Sequence, residues 1–121
     1  MNVLVVDDHR DTNEMLCRML QRQGHRTSSA YSSETALESI GTGPPDVVIL
    51  DNMMPGMNGI DALRAIRSTP GSSGLPVIMY TAMADRAFEA HALEIGANAY
   101  FVKGAMKLND LLDLVGKFAA A

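Results

Sequence analysis

The sequence predicts an α/β domain, a doubly wound parallel sheet of five strands with helices on both faces. Three observations carry that reading. Short apolar runs alternate with helix-like segments five times along the chain. Two of those runs, Val3–Val6 and Val47–Leu50, are apolar at every position, as strands buried on both faces of a parallel sheet are. No linker or low-complexity tract breaks the alternation, so residues 1–121 are read as one domain.

Taken in order, the first strand is Val3–Val6. The segment "DTNEMLCRMLQRQG" follows, with Met15, Leu16, Met19 and Leu20 on one helical face and Gly24 as its stop. Residues 25–30, "HRTSSA", are a polar strand suited to a sheet edge. "SSETALESI" is a short Ser-capped helix with Ala36, Leu37 and Ile40 inward, ended by "GTGPP". After the third strand, Val47–Leu50, residues 59–68 read as a helix and "TPGSSG" closes it. "PVIMYT" (76–81) is a strand and "ADRAFEAHALEIG" a helix ending at Gly96. "AYFVK" (99–103) is the fifth strand. "KLNDLLDLVGKF" closes the chain as a helix with Leu108, Leu111, Leu112 and Val115 on one side. With the polar run at an edge and the apolar runs inside, the predicted strand order is 2-1-3-4-5, the flavodoxin-like arrangement.

Composition narrows the function. Apolar residues make up 47% and charged residues 20%, a globular balance. No apolar run approaches the roughly 20 residues of a membrane-spanning helix, and the N-terminus has no basic flank or small-residue cleavage site. Fourteen acids against ten bases give a net charge of −4, which argues against direct contact with nucleic acid. The single cysteine, Cys17, excludes an internal disulfide and a cysteine-based zinc site. A cytoplasmic location fits this picture. "RAIRS" (64–68) reads as a solvated helix face, and the nine methionines as adaptable packing.

The polar residues fall in one place. In open α/β sheets ligands bind beyond the carboxyl ends of the strands, where strand order reverses. Strand 1 ends in Asp7 and Asp8 and strand 3 in Asp51, and neighbouring strands lie about 4.8 Å apart. Strand 4 ends in Thr81 and strand 5 in Lys103. One acid at a strand end means little, but three acids, a hydroxyl and an amine on one rim do not arise from solvation alone. Crowded carboxylates repel one another and call for a cation. An all-oxygen acidic set suits Mg²⁺, which also favours phosphate ligands. Lys103 can pair with Asp51 or with a phosphoryl oxygen, Thr81 can donate to that oxygen, and an aspartate can act as nucleophile.

These residues resemble the response-regulator receiver domain, the phosphoacceptor module of two-component signalling. The resemblance rests on Asp7-Asp8, "DNMMPGMNG" (51–59), Thr81-Ala82 and "GANAYFVK" (96–103), in order and at the right strand ends. It implies that Asp51 accepts a phosphoryl group from a histidine kinase or histidine phosphotransfer protein. It further implies that Asp8, Asp51 and the backbone carbonyl of Met53 bind Mg²⁺, with Asp7 acting through metal-bound water. Lys103 and Thr81 would hold phosphoryl oxygens, and Thr81 with Tyr100 would form the switch, altering the face of helix 4, strand 5 and helix 5 toward an output effector the sequence does not name. One position departs from the family. A proline usually follows the strand-5 lysine, often through a cis bond, whereas here it is Gly104, so a trans or mobile peptide and a looser loop are expected. Met53 and Met83 are apolar where the family is often polar, and are expected to shield the phosphoryl group from water.

Three rival readings fit these residues less well. A phosphatase resembling the haloacid dehalogenase family would carry an acid two residues after its nucleophile, where this chain has Met53. A flavin or nucleotide binder would need a glycine-rich loop after strand 1, which is absent. A receiver-like module that only binds partners would have no use for the complete acidic set with Thr81 and Lys103. His9, His25 and His91 are read as loop, structural and surface residues.

Overall fold

The computed structural model describes residues 1–104 and 108–120. Five strands and five helices alternate along it: β1 (Asn2–Val6), α1 (Arg10–Arg22), β2 (Arg26–Ala30), α2 (Ser33–Thr42), β3 (Val47–Leu50), α3 (Gly59–Ser68), β4 (Val77–Thr81), α4 (Arg86–Ile95), β5 (Ala99–Val102) and α5 (Leu108–Ala120). The strands form one sheet in the order β2-β1-β3-β4-β5, every pairing parallel, as expected. Lys107, the expected start of the last helix, lies outside the described residues.

Strand alternation sends successive side chains to opposite faces and so divides the core in two. Leu4 and Val6, Val48 and Leu50, and Val77 and Met79 face α2, α3 and α4. Val3 and Val5, Val47 and Ile49, and Ile78 face α1 and α5, where they meet Leu16, Leu20, Leu111, Leu112 and Val115. β1 from Val3 and all of β3 are buried at each position, whereas edge strand β2 buries only Ala30 fully. Each side-chain-capped helix uses the residue its sequence offers: His9 for α1, Ser32 for α2, Asn58 for α3 and Asp85 for α4 each accept a first-turn amide.

Two expectations fail, for identifiable reasons. Met15 does not join the inward face of α1; it is 40% exposed. The buried stripe is Asn13, Leu16, Cys17 and Leu20, at i, i+3, i+4 and i+7, so an asparagine occupies a core position. Its amide nitrogen lies 3.2 Å from the carbonyls of Val5, Asp7 and Ala30, and its oxygen accepts from Ser29 Oγ at 2.7 Å. Asn13 therefore ties the ends of β1 and β2 together. "RAIRS" is likewise not a wholly solvated face. The Arg67 guanidinium reaches the carbonyls of Gly96, Ser73 and Leu75 at 2.7–3.2 Å and Asn98 Oδ1 at 3.1 Å, clasping the loops before β4 and β5. Desolvation in that setting holds its pKa below the ordinary arginine value. No helix among the described residues is long and apolar enough to cross a membrane.

Candidate functional site

The ladder of the sheet runs one residue past the strands and aligns the polar residues at its carboxyl edge. The Asp7 amide donates to Ala30 O at 3.1 Å, Asp51 N to Val6 O at 2.9 Å, and Lys103 N to Thr81 O at 2.8 Å. Backbone pairing thus sets where each side chain begins. The result is a cluster in which Asp7, Asp8 and Asp51 present carboxylate oxygens within 4.8 Å of one another. Asp7 and Asp51 are buried, at 2% and 5% exposure, while Asp8 is exposed and forms the open side.

Lys103 enters this cluster, but its closer partner is Asp7 and not Asp51. Its Nζ lies 2.6 Å from Asp7 Oδ2 and 3.4 Å from Asp51 Oδ2. Burial alone would lower the lysine pKa. The hydrogen bond to Asp7 and the charges of Asp51 and Asp7 outweigh it and hold the pKa above the ordinary lysine value. Asp7's other oxygen accepts the His9 amide at 2.9 Å, so both oxygens are engaged. Three carboxylates against one ammonium leave an excess of two negative charges. All-oxygen donors of that charge, one of them open to solvent, fit a hard divalent cation, and the cluster can hold one.

The loop from Asp51 to α3 wraps closely around this carboxylate. The Met53 amide donates to Asp51 Oδ1 at 3.2 Å. The Asn52 carbonyl accepts from Met54 N and Gly59 N, and Asn52 Oδ1 accepts from Ile60 N at 3.0 Å. Gly59 is required by this packing: a Cβ there would overlap the Asp51 carbonyl oxygen and stand 2.7 Å from Asn52 Cα. Met54 is buried and Met57 partly buried on the α2–α4 side of the sheet, pinning the loop, while Met53 is 55% exposed.

Thr81 and Tyr100 meet through Met83 rather than directly. Thr81 is fully buried, and its Oγ1 lies 3.4 Å from Met83 N, a long contact. The Tyr100 hydroxyl donates to Met83 O at 2.7 Å, and its ring packs edge-on against Phe88 with centroids 6.1 Å apart. Burial, with the charges of Glu89, Asp85 and Asp51, raises the Tyr100 pKa and keeps that hydroxyl protonated for donation. The Met83 sulfur in turn lies 4.0 Å from Asn52 Nδ2, linking the β4–α4 loop to the residue after Asp51. Gly104 follows Lys103 through a trans peptide and has φ +82°, a conformation that proline, fixed near −65°, does not reach. The rest of the loop expected to be loose lies outside the described residues.

Asn13, Asn52 and Glu34, whose carboxylate accepts from Met57 N at 3.2 Å, were not singled out from sequence. Only Asn13 left a signal there, as a polar residue in register with an apolar helical stripe.

A sheet of this order with an acidic cluster and a lysine at its carboxyl edge defines a receiver-type phosphosignalling fold. The sequence matches the response regulator receiver domain over residues 3–115, and the chain belongs to that family. It is 41% identical over 101 residues to the DNA-binding response regulator MtrA of Mycobacterium tuberculosis, covering 84% of this chain and 43% of that protein. The chain thus spans less than half the length of the MtrA relatives. It is 38% identical over 104 residues to the chemotaxis protein CheY of Pseudomonas aeruginosa, covering 85% and 84% of the two chains. Among solved structures, the signal receiver domain of a DNA-binding response regulator from Colwellia psychrerythraea superposes with a TM-score of 0.92 at 26% identity, covering 100% of this chain and 99% of that one. The chemotaxis protein CheY4 of Vibrio cholerae gives 0.88 at 26% identity, covering 97% of each.

Proposed function

We propose that residues 1–121 act as a single phosphoacceptor unit, in which Asp51 receives a phosphoryl group from a histidine kinase or histidine phosphotransfer protein. The observation that carries this is the position of Asp51: a buried carboxylate at the end of β3, between Asp7, Asp8 and Lys103. An Asp51 carboxylate oxygen attacks phosphorus, the bond from phosphorus to the donor's imidazole nitrogen breaks, and the imidazole leaves with a proton. Asp8, Asp51 and the Met53 carbonyl would hold Mg²⁺, and Asp7, with both oxygens engaged, would contribute through water. Mg²⁺ supplies charge neutralisation for the transferring phosphoryl group. Lys103 exchanges its contact with Asp51 for a phosphoryl oxygen, and Thr81 donates a hydrogen bond to another.

Moving Thr81 disturbs Met83 N, and Met83 O is the acceptor of Tyr100, so Met83 transmits the event to the β4–α4 loop and the face of α4, β5 and α5. The chain works as a cytoplasmic switch and not as a turnover enzyme, since Met53 stands where an aspartyl-phosphate phosphatase carries its acid. Water returns Asp51 to its free form slowly, releasing inorganic phosphate.

Incubation with Mg²⁺ and acetyl phosphate, read by intact mass, tests this. One phosphoryl group is expected, lost in Asp51→Asn and on chelation of Mg²⁺. No adduct from acetyl phosphate or from a phosphorylated kinase favours a partner-binding module, and rapid multiple turnover favours a phosphatase.

A further inference from the structure

The loop that carries Met53 is gripped from α2, a contact with no part in the chemistry above. Residues 52–58 leave the sheet at Asp51, and Met53, Pro55, Gly56 and Asn58 are exposed. Asn52 and Met54 fix the inner side of the loop. Its outer side is held by the first turn of α2. Glu34 Oε1 accepts the Met57 amide at 3.2 Å, and Ser33, which is fully buried, donates its hydroxyl to Asn58 O at 3.3 Å. Gly56, at φ +77°, makes the turn just before the gripped residues. The backbone amides of Glu34 itself and of Met57 hold the Glu34 pKa below the ordinary glutamate value, which favours its ionised, accepting form. α2 is itself fixed, because Ala36 and Ile40 are core residues.

We propose that Glu34, assisted by Ser33, is a positioning residue for the cation site. By holding Met57 and Asn58 it fixes the span that delivers the Met53 carbonyl beside Asp51, without itself touching the cation. The inference rests on the reading that Asp8, Asp51 and Met53 hold Mg²⁺. Outer groups that orient ligands in this way commonly alter metal affinity when removed.

The test is a Mg²⁺ titration of the whole chain followed by the amide signals of Asn52 and Met53, with exchange of the Met57 amide measured in parallel. Glu34→Ala is expected to weaken Mg²⁺ binding roughly three- to tenfold, the size of one hydrogen bond, and to speed Met57 exchange. Glu34→Gln loses the same charge but keeps an acceptor oxygen, and is expected to recover most of the affinity. Ser33→Ala is expected to give a smaller loss in the same direction. Glu34 is exposed, so both of its variants should fold, with thermal unfolding as the check. If Glu34→Ala binds Mg²⁺ as the parent does, or Glu34→Gln is as impaired as Glu34→Ala, the positioning role is overturned while the phosphoacceptor reading stands. If the parent chain does not bind Mg²⁺ at all, both fall together.

Discussion

The Lys103 ammonium and the Asp7 carboxylate are paired at 2.6 Å, across 96 residues of sequence and from opposite sides of the Asp51 strand. The pair sets the resting state of the site. Lys103 is held on the rim by Asp7 and reaches Asp51 only at 3.4 Å, so the move proposed for it toward a phosphoryl oxygen need not break its principal bond. Its pKa is raised in the folded chain, so the stabilisation is fully present below the unfolded value near 10.4 and is lost as pH rises through the higher folded value. A carbon-13 titration of the lysine ε positions should find Lys103 titrating above the ordinary lysine value. Asp7→Asn should bring it down. A Lys103 that titrates at or below the ordinary lysine value contradicts the pairing.

Gly59 opposes helix propensity for a packing reason. Alanine at the first position of α3 would gain about 1 kcal/mol from propensity alone. The Cβ would, however, meet the Asp51 and Asn52 backbone, which cannot move without shifting the acceptor. Gly59→Ala is therefore expected to cost about 1–3 kcal/mol net in urea unfolding and to slow phosphorylation. A variant more stable than the parent contradicts this account of the turn.

Asn13 should behave as a core residue. Asn13→Ala withdraws the donor that three carbonyls face and removes the oxygen that accepts from Ser29 at 2.7 Å. The expected loss is about 1–3 kcal/mol of unfolding free energy. Asn13→Asp should be worse, since it turns a carboxylate toward those carbonyls. Met15→Ala, at an exposed position of the same helix, should change stability little, within about 0.5 kcal/mol.

The proposed shielding of the phosphoryl group by Met53 and Met83 can be tested directly. Met53 is exposed two residues after Asp51, and Met83 is partly buried against Asn52. Replacing both with polar residues, Met53→Asn and Met83→Gln, should shorten the phosphate lifetime several-fold, measured as loss of the phosphoryl adduct after the donor is removed. An unchanged rate removes the shielding role.

The sheet was legible because its signal is redundant. β1 from Val3 and all of β3 are apolar while β2 is polar, which puts β2 at an edge and the other two inside, as the observed order does. The three aspartates, Thr81 and Lys103 were legible because strand ends fix where a side chain starts. What was not legible depends on where a side chain goes afterwards. Lys103 has a flexible stem, and its sequence position did not reveal that Asp7 is its nearer partner. Met15 and Asn13 are two residues apart on α1, and only the rotation of the helix decided which one the core took. Glu34 and Asn52 act on backbone amides, which leave no pattern in the side-chain sequence.

The account turns on Asp51 being the atom-level acceptor. The direct measurement is to phosphorylate the chain with Mg²⁺ and acetyl phosphate, reduce the acyl phosphate with borohydride, and map the reduced residue by peptide mass. The account predicts reduction at Asp51 alone, converting it to homoserine, and none without Mg²⁺. Reduction at Asp7 or Asp8 with Asp51 untouched would contradict it.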